Sequence, residues 1–182
     1  MEKALDVLKK GGLLLYPTDT VWGIGCDATN AAAVARIYQL KQREETKAMI
    51  CLVSDERMLE RYVQHVPDAA YDLIACSDRP TTIVYDEALG LAENLIAPDR
   101  TIAIRVVRSG FAHELIKKFR KPLVSTSANI SGSPTPRNRA EISKAILEGV
   151  DYVVPLPDTT TAGRPSLIIQ LKNNGEVNIL RN

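Results

Sequence analysis

The sequence contains few of the residues that form metal sites or stack on nucleic acid bases. Its three cysteines form no Cys-x-x-Cys pair, and neither of its two histidines stands at metal-ligand spacing from a cysteine. We therefore expect no metal held by the protein. An odd number of thiols without a pairing pattern is typical of a reducing compartment. Aromatic residues make up only 5% of the chain, which is a small stock for base stacking.

Neither a one-sided charge nor a long apolar run is present. The 23 Lys and Arg residues oppose 22 Asp and Glu residues, so the net charge of +1 creates no overall field for nucleic acid or membrane. No run approaches the roughly 18 apolar residues of a membrane span, and the N-terminus has no apolar signal core. We therefore expect a cytoplasmic protein that binds no membrane. A length of 182 residues predicts one domain over residues 1–182.

Short apolar runs alternate with segments of helical periodicity along the whole chain. Strands are predicted over 13–16, 49–53, 82–85, 102–106, 123–126, 167–171 and 177–180. Helices are predicted over 2–10, 56–62, 68–75 and 109–119. Two more are predicted, one with Asn30 as N-cap and one that begins at a capping box of Asn138 and Glu141 and ends before Gly149. Asn173-Asn174-Gly175 indicates a hairpin between the last two strands. The fold class is therefore α/β, a mixed, twisted open sheet with flanking helices and a ligand crevice on one face.

Two features follow the first predicted strand. Pro17-Thr18-Asp19-Thr20 places hydroxyls at a strand end, where such folds bind ligands; a turn that caps its own backbone is the alternative. Gly23-x-Gly25-x-x-Ala28 imitates a dinucleotide fingerprint. However, its first glycine lies seven residues after Tyr16 instead of directly after the strand. We favour glycines that serve a tight loop.

Cations and hydroxyls form three further candidate groups. Lys41-x-Arg43-x-x-x-Lys47 has the charges to bind a polyphosphate, although a solvated basic face is the alternative. The run Ser125–Gly132 is rich in hydroxyls, which are costly to bury unless backbone or a ligand satisfies them. Arg105 lies within a predicted strand, so it requires an anionic ligand or an internal carboxylate unless it faces solvent.

Three ordered segments, Tyr16–Cys26, Leu40–Arg43 and Ser125–Gly132, resemble the YrdC family, and the resemblance covers nearly the whole chain. It implies a YrdC-like fold and a nucleotidyltransferase, a threonylcarbamoyl-AMP synthase. Such an enzyme converts L-threonine, bicarbonate and ATP to threonylcarbamoyl-adenylate and pyrophosphate, the first step of tRNA threonylcarbamoyladenosine modification. The resemblance further implies ATP with Mg²⁺ as substrate, no permanently bound cofactor, and transfer of the product to a separate tRNA-modifying protein complex.

The resemblance also implies roles for individual residues. The residues implied to bind threonine are Thr18, Arg105, Asn129 and Ser166. Those implied to bind ATP are Lys41, Arg43, Lys47, Thr101, Ser127, Arg137 and Arg181, with Lys41 and Arg43 as the catalytic cations. The chain departs from the family pattern at Leu52, at Leu167 and over Ser77–Thr82, all of which concern the threonine end.

Two other functions fit the sequence. One is an RNA-binding protein of the same family, with weak affinity for tRNA or double-stranded RNA through Lys117-Lys118-Phe119-Arg120-Lys121. The other is a paralogue that has lost the synthase activity. Release of pyrophosphate that depends on threonine and bicarbonate distinguishes the enzyme from both alternatives.

Overall fold

The computed structural model describes residues 1–18, 20–44, 49–157 and 166–182. Within these ranges, nine strands form one mixed sheet in the order β7-β1-β2-β6-β3-β5-β4-β8-β9. The strands are β1 Leu14–Pro17, β2 Trp22–Asp27, β3 Ile50–Val53, β4 Thr81–Tyr85, β5 Ile102–Val106, β6 Leu123–Ser127, β7 Tyr152–Val153, β8 Leu167–Leu171 and β9 Val177–Arg181. The predicted α/β fold with a mixed sheet is confirmed.

Six α-helices flank this sheet in the described part of the chain. They are α1 Glu2–Lys9, α2 Ala31–Lys41, α3 Glu56–Leu59, α4 Asp68–Cys76, α5 Gly110–Phe119 and α6 Lys144–Gly149. Asn30 caps α2 as predicted, because its side chain accepts a hydrogen bond of 3.1 Å from the Ala33 amide. The same described residues contain no helix with the length and apolarity needed to cross a bilayer.

Strand β2 was not predicted, and the expectation of a tight loop at its two glycines is wrong. Gly23 and Gly25 lie inside a strand that pairs antiparallel with both β1 and β6. A Cβ atom on Gly25 would lie 2.8 Å from Tyr16 Cε1 and from the Val124 carbonyl oxygen. The glycines therefore allow neighbouring groups to approach closely. They do not open a helix, which excludes the dinucleotide fingerprint.

Asn138 caps the next turn as predicted, but the Glu141 carboxylate bonds its side chain instead of its backbone amide, and the helix is shorter than predicted. Asn138 accepts a 3.2 Å hydrogen bond from the Glu141 amide, and the Glu141 carboxylate accepts one of 3.0 Å from Asn138 Nδ2. Only a 3₁₀ turn over Arg139–Glu141 follows, because extended backbone at Ile142 and Ser143 interrupts the helix before α6.

The sheet is strongly coiled, and this coiling forms the crevice. β2 and β9 are six strand spacings apart in the sheet order, about 29 Å if the sheet were flat. Nevertheless, Gly23 of β2 and Arg181 of β9 line the same cavity. The right-handed twist that accumulates across the strands therefore curves the sheet around this cavity.

Candidate functional site

A cavity of about 490 Å³ lies within the coiled sheet. Its walls come from the β1–β2 turn, the segment after α2, strands β3, β5, β6, β8 and β9, and the loop at 135–137. The described lining residues are Thr18, Thr20, Val21, Gly23, Arg43, Met49, Ile50, Arg105, Ser125, Thr126, Ser127, Thr135, Pro136, Arg137, Ser166, Ile168 and Arg181.

The cavity is strongly cationic. Four of its lining residues are arginines, and none of the described lining residues is Asp or Glu. Arg105 is only 5% exposed. Burial, and secondarily the charge of Arg105, lowers the pKa of Arg181, so these two guanidinium groups repel one another. A bound polyanion or carboxylate relieves this repulsion, and the planar guanidinium matches both groups with paired hydrogen bonds.

The hairpin of β8 and β9 forms as predicted and fixes Arg181. Its Nε and Nη2 atoms donate to the Ser166 carbonyl oxygen at 3.0 and 2.9 Å, and Nη2 also lies 3.0 Å from Ser166 Oγ. Ser166 Oγ lies 2.9 Å from Thr82 Oγ1 on β4. A chain of hydrogen bonds thus holds Arg181 and Ser166 at the cavity wall, across three neighbouring strands.

The structure forms the predicted turn at Thr18 and also places this residue beside the cavity. Thr18 Oγ1 donates to the Val21 carbonyl oxygen at 2.7 Å and accepts from the Thr20 and Val21 amides at 3.1 and 3.2 Å. The hydroxyl therefore caps its own turn. The same residue also lines the cavity, together with Thr20 and Val21.

The cations predicted as one phosphate-binding group are separated. Lys41 is 1% exposed, which excludes a solvated face for it, and it is not among the described residues that line the cavity. Arg43 does line the cavity. Gln42, with φ of 51°, lies between them in the left-handed region and turns the chain at the end of α2. Lys47 lies outside the described residues.

Lys41 is held by the loop after β6. Its Nζ donates to the carbonyl oxygens of Ser127 at 2.5 Å and Asn129 at 2.6 Å. Burial, and secondarily the charge of Arg43, lowers its pKa to about 8. The Lys41 ammonium group therefore meets backbone oxygens in this structure and does not line the cavity.

Of the remaining predicted residues, Ser127 and Arg137 line the cavity and two do not. Asn129 borders a neighbouring cavity of about 280 Å³ that shares Thr135 and Pro136 with the first. Its Nδ2 donates to the carbonyl oxygens of Ile130 at 3.0 Å and Ser133 at 2.7 Å.

Thr101 is not brought to the cavity. It precedes the first residue of β5, four positions before Arg105, and is separated from it by about 13 Å along the extended chain. Its hydroxyl donates to Asp99 Oδ1 at 2.7 Å. Thr101 therefore does not line this cavity, and its contact with ATP stays a prediction.

Several lining residues were missed by the sequence analysis. Ile168 had a usable signal, because it stands two residues after Ser166 and so shares its side of an extended chain. Thr135 and Pro136 had none, since their position depends on how the loop after β6 folds back. Among the described residues, no group of three or more His, Cys, Asp or Glu side chains is arranged to hold a metal ion.

The chain matches known proteins over most of its length. Residues 6–182 match the model of the Sua5/YciO/YrdC family, whose description is "Telomere recombination". The threonylcarbamoyl-AMP synthase of Stenotrophomonas maltophilia is 34% identical over 157 residues, which cover 85% of this chain and 84% of that protein.

Solved structures give the same result. P. abyssi Sua5 complexed with L-threonine has a TM-score of 0.85 and 26% identity over 93% of this chain. The chain spans half the length of that protein. E. coli YciO, with a TM-score of 0.81 at 23% identity over 99% of this chain and 87% of that one, shares the fold. The sequence motifs, the coiled mixed sheet and these matches agree, and the chain belongs to the Sua5/YciO/YrdC family.

Proposed function

We propose that the protein is a threonylcarbamoyl-AMP synthase that forms threonylcarbamoyl-adenylate and pyrophosphate from L-threonine, bicarbonate and ATP. The observation that carries this proposal is a cavity with four arginines and seven lining Ser and Thr residues, in a chain that is 34% identical to a protein of that name. The coiled sheet brings these side chains together from distant parts of the sequence.

The reaction requires positioning and charge stabilisation more than a protein nucleophile. The threonine amine combines with bicarbonate to give a carbamate and water. A carbamate oxygen then attacks the α-phosphorus of ATP, and the bond to the leaving pyrophosphate breaks. Negative charge grows on the pyrophosphate, and guanidinium groups fixed in advance stabilise that charge without reorganisation.

The cavity offers separate partners for the two substrates. We assign Arg105 to the threonine carboxylate, because it is the most buried cation of the lining and its planar fork suits a carboxylate. Thr18 and Ser166 supply hydroxyls at the threonine end. Arg43, Arg137 and Arg181 are assigned to the ATP phosphates, with Ser127 on the same wall.

Three further assignments complete the proposal. Lys47 follows Arg43 in sequence and adds a cation to the phosphate group. Asn129, which borders the adjoining cavity, is assigned to the threonine end. Mg²⁺ enters on the ATP phosphates as part of the substrate, since Mg²⁺ commonly binds through substrate phosphates and water. The product is the activated intermediate of a tRNA modification and passes to a downstream tRNA-modifying protein complex.

Weak binding of tRNA or double-stranded RNA is a secondary proposal. Lys117, Lys118 and Arg120 are exposed at the end of α5. Lys121 is paired with Asp27, whose Oδ2 lies 2.8 Å from its Nζ. None of these residues lines the cavity. A direct RNA contact here would weaken steeply with increasing salt, and the synthase reaction would not depend on it.

Pyrophosphate release tests the proposal and separates it from the alternatives. Purified protein should release pyrophosphate from Mg·ATP only when threonine and bicarbonate are both present. Serine and valine serve as matched amino acids, since one lacks the methyl group and the other the hydroxyl group of threonine. Release that is independent of the amino acid, or no release under any condition, would refute the synthase assignment and favour the inactive paralogue.

A further inference from the structure

Lys41 is a buried ammonium group whose two named acceptors are neutral backbone oxygens. Its Nζ donates at 2.5 Å to the carbonyl of Ser127 and at 2.6 Å to that of Asn129. Lys41 is 1% exposed, which is rare for a lysine. Burial of a charged group costs free energy that an apolar residue of similar length would avoid. A lysine is therefore favourable at this buried position only if its ammonium group makes contacts that an apolar side chain would not make.

The main chain of Lys41 contacts the same loop. Its carbonyl oxygen accepts a 2.8 Å hydrogen bond from the Ser131 amide. Residues 127–131 are therefore attached to the end of α2 at three points, two through the side chain and one through the backbone. The start of this segment is also attached to β2, because the Ala128 amide donates to the Trp22 carbonyl oxygen at 2.9 Å.

This attachment shapes the cavity wall. Carbonyl groups repel one another when they converge, and a cation between them is what allows the Ser127 and Asn129 carbonyls to point at one spot. The Ser127 carbonyl points toward Lys41, and Ser127 also lines the cavity. Lys41 itself is not among the lining residues. Arg43, beyond the left-handed Gln42, reaches the cavity directly.

We infer that Lys41 is a positioning residue: its ammonium group holds residues 127–131 in the conformation that forms the cavity wall, and it does not contact the substrate. The two cations of the Lys-x-Arg motif then have different roles: the lysine holds the loop in place, and the arginine faces the ligand. The inference rests on contacts within the chain, and only its consequence for turnover rests on the proposed function.

Amine acetylation of the unaltered protein tests whether Lys41 faces the ligand. N-hydroxysuccinimide acetate is applied with and without Mg·ATP, and modification is followed by peptide mass spectrometry. Lys41 should react at least tenfold more slowly than Lys118, an exposed lysine of α5, and at the same rate with Mg·ATP. Reaction as fast as that of Lys118, or protection by Mg·ATP, would show that Lys41 faces the nucleotide and would overturn the inference.

Hydrogen exchange tests the effect on the loop. In Lys41→Met the amides of Ala128, Ser131 and Ser133 should exchange at least tenfold faster than in the wild type, because the loop loses two charge-assisted hydrogen bonds. Lys41→Arg keeps donors and charge and should restore part of the protection, while Lys118→Met is the matched control and should change nothing in this loop.

Unchanged exchange over 127–133 in Lys41→Met would contradict the inference. Should Lys41→Met fail to fold, the acetylation result decides alone, since it needs no variant. Neither measurement involves turnover, so both remain valid if the protein releases no pyrophosphate.

Discussion

Replacing Arg181 by methionine should reduce both the stability of the protein and its affinity for ATP. Arg181 makes three contacts with Ser166, two of them to one carbonyl oxygen. Hydrogen bonds from charged donors contribute about 1.5–3 kcal/mol each when well formed. Because two contacts share an acceptor and the side chain is partly exposed to solvent, we expect a loss of about 1–2 kcal/mol in the free energy of unfolding.

For a domain of this length the melting temperature should then fall by about 2–8 °C. The effect on binding is separate, since the variant also loses one of the four cavity arginines. The loss of one charged hydrogen bond predicts a Kd for ATP that is about 10- to 150-fold weaker. Methionine keeps much of the apolar stem of arginine, so the change mainly removes the guanidinium group.

Thermal denaturation and isothermal titration calorimetry with Mg·ATP measure the two effects. Arg57→Met is the matched control, because Arg57 is exposed on α3 and does not line the cavity. It should leave both quantities within error of the wild type. If Arg181→Met retains the wild-type melting temperature and ATP affinity, Arg181 neither fixes the β8–β9 hairpin nor belongs to the site.

Three further predictions concern the other cations. Arg43→Ala should lower kcat by roughly 10²–10³-fold in the pyrophosphate assay, which is the usual effect of removing one preorganised donor. The free energy of unfolding should change little, because Arg43 is only half-buried. Full activity of the variant would remove Arg43 from the site. Arg105→Lys should raise the Kd for threonine while that for ATP stays nearly constant in calorimetry, because lysine lacks the paired donors; an equal effect on both ligands would contradict the assignment to threonine. The pKa of Lys41 is about 8 in the folded protein against an ordinary value of 10.5, so unfolding takes up a proton between these pH values. The free energy of unfolding of the wild type, measured by urea denaturation, should therefore rise relative to that of Lys41→Met as the pH increases from 8 to 10.5. The rise is at most about 1.4 kcal/mol per pH unit. If the difference in unfolding free energy between the two proteins does not depend on pH, the pKa shift is refuted.

Much of the fold could be predicted because its signals are local. Apolar runs of four or five residues become β3, β5 and β6, and the Asn-Asn-Gly turn joins β8 to β9. β2 escaped prediction because its two glycines indicate a turn when only the chain itself is considered. They are favourable in a strand only because Tyr16 and Val124 approach from the neighbouring strands.

The site was less predictable because side-chain direction depends on tertiary contacts. Lys41 and Arg43 are two residues apart, and only the left-handed backbone at Gln42 decides that one turns inward and the other reaches the cavity. Thr101 directly precedes the strand that contains Arg105, yet only Arg105 lines the cavity, because the direction of each side chain is set by the folded sheet. The loop after β6 is positioned by Lys41, which lies 86 residues from Ser127 in the sequence.

The identity of the product tests the central claim most directly. The protein is incubated with Mg·ATP, L-threonine and ¹³C-bicarbonate, and the reaction is quenched rapidly for mass spectrometry. The proposed function predicts an adduct of AMP and threonine that contains one additional carbonyl carbon and carries one ¹³C atom from bicarbonate. An unlabelled threonyl-adenylate, or no adduct of AMP and threonine at all, would contradict it.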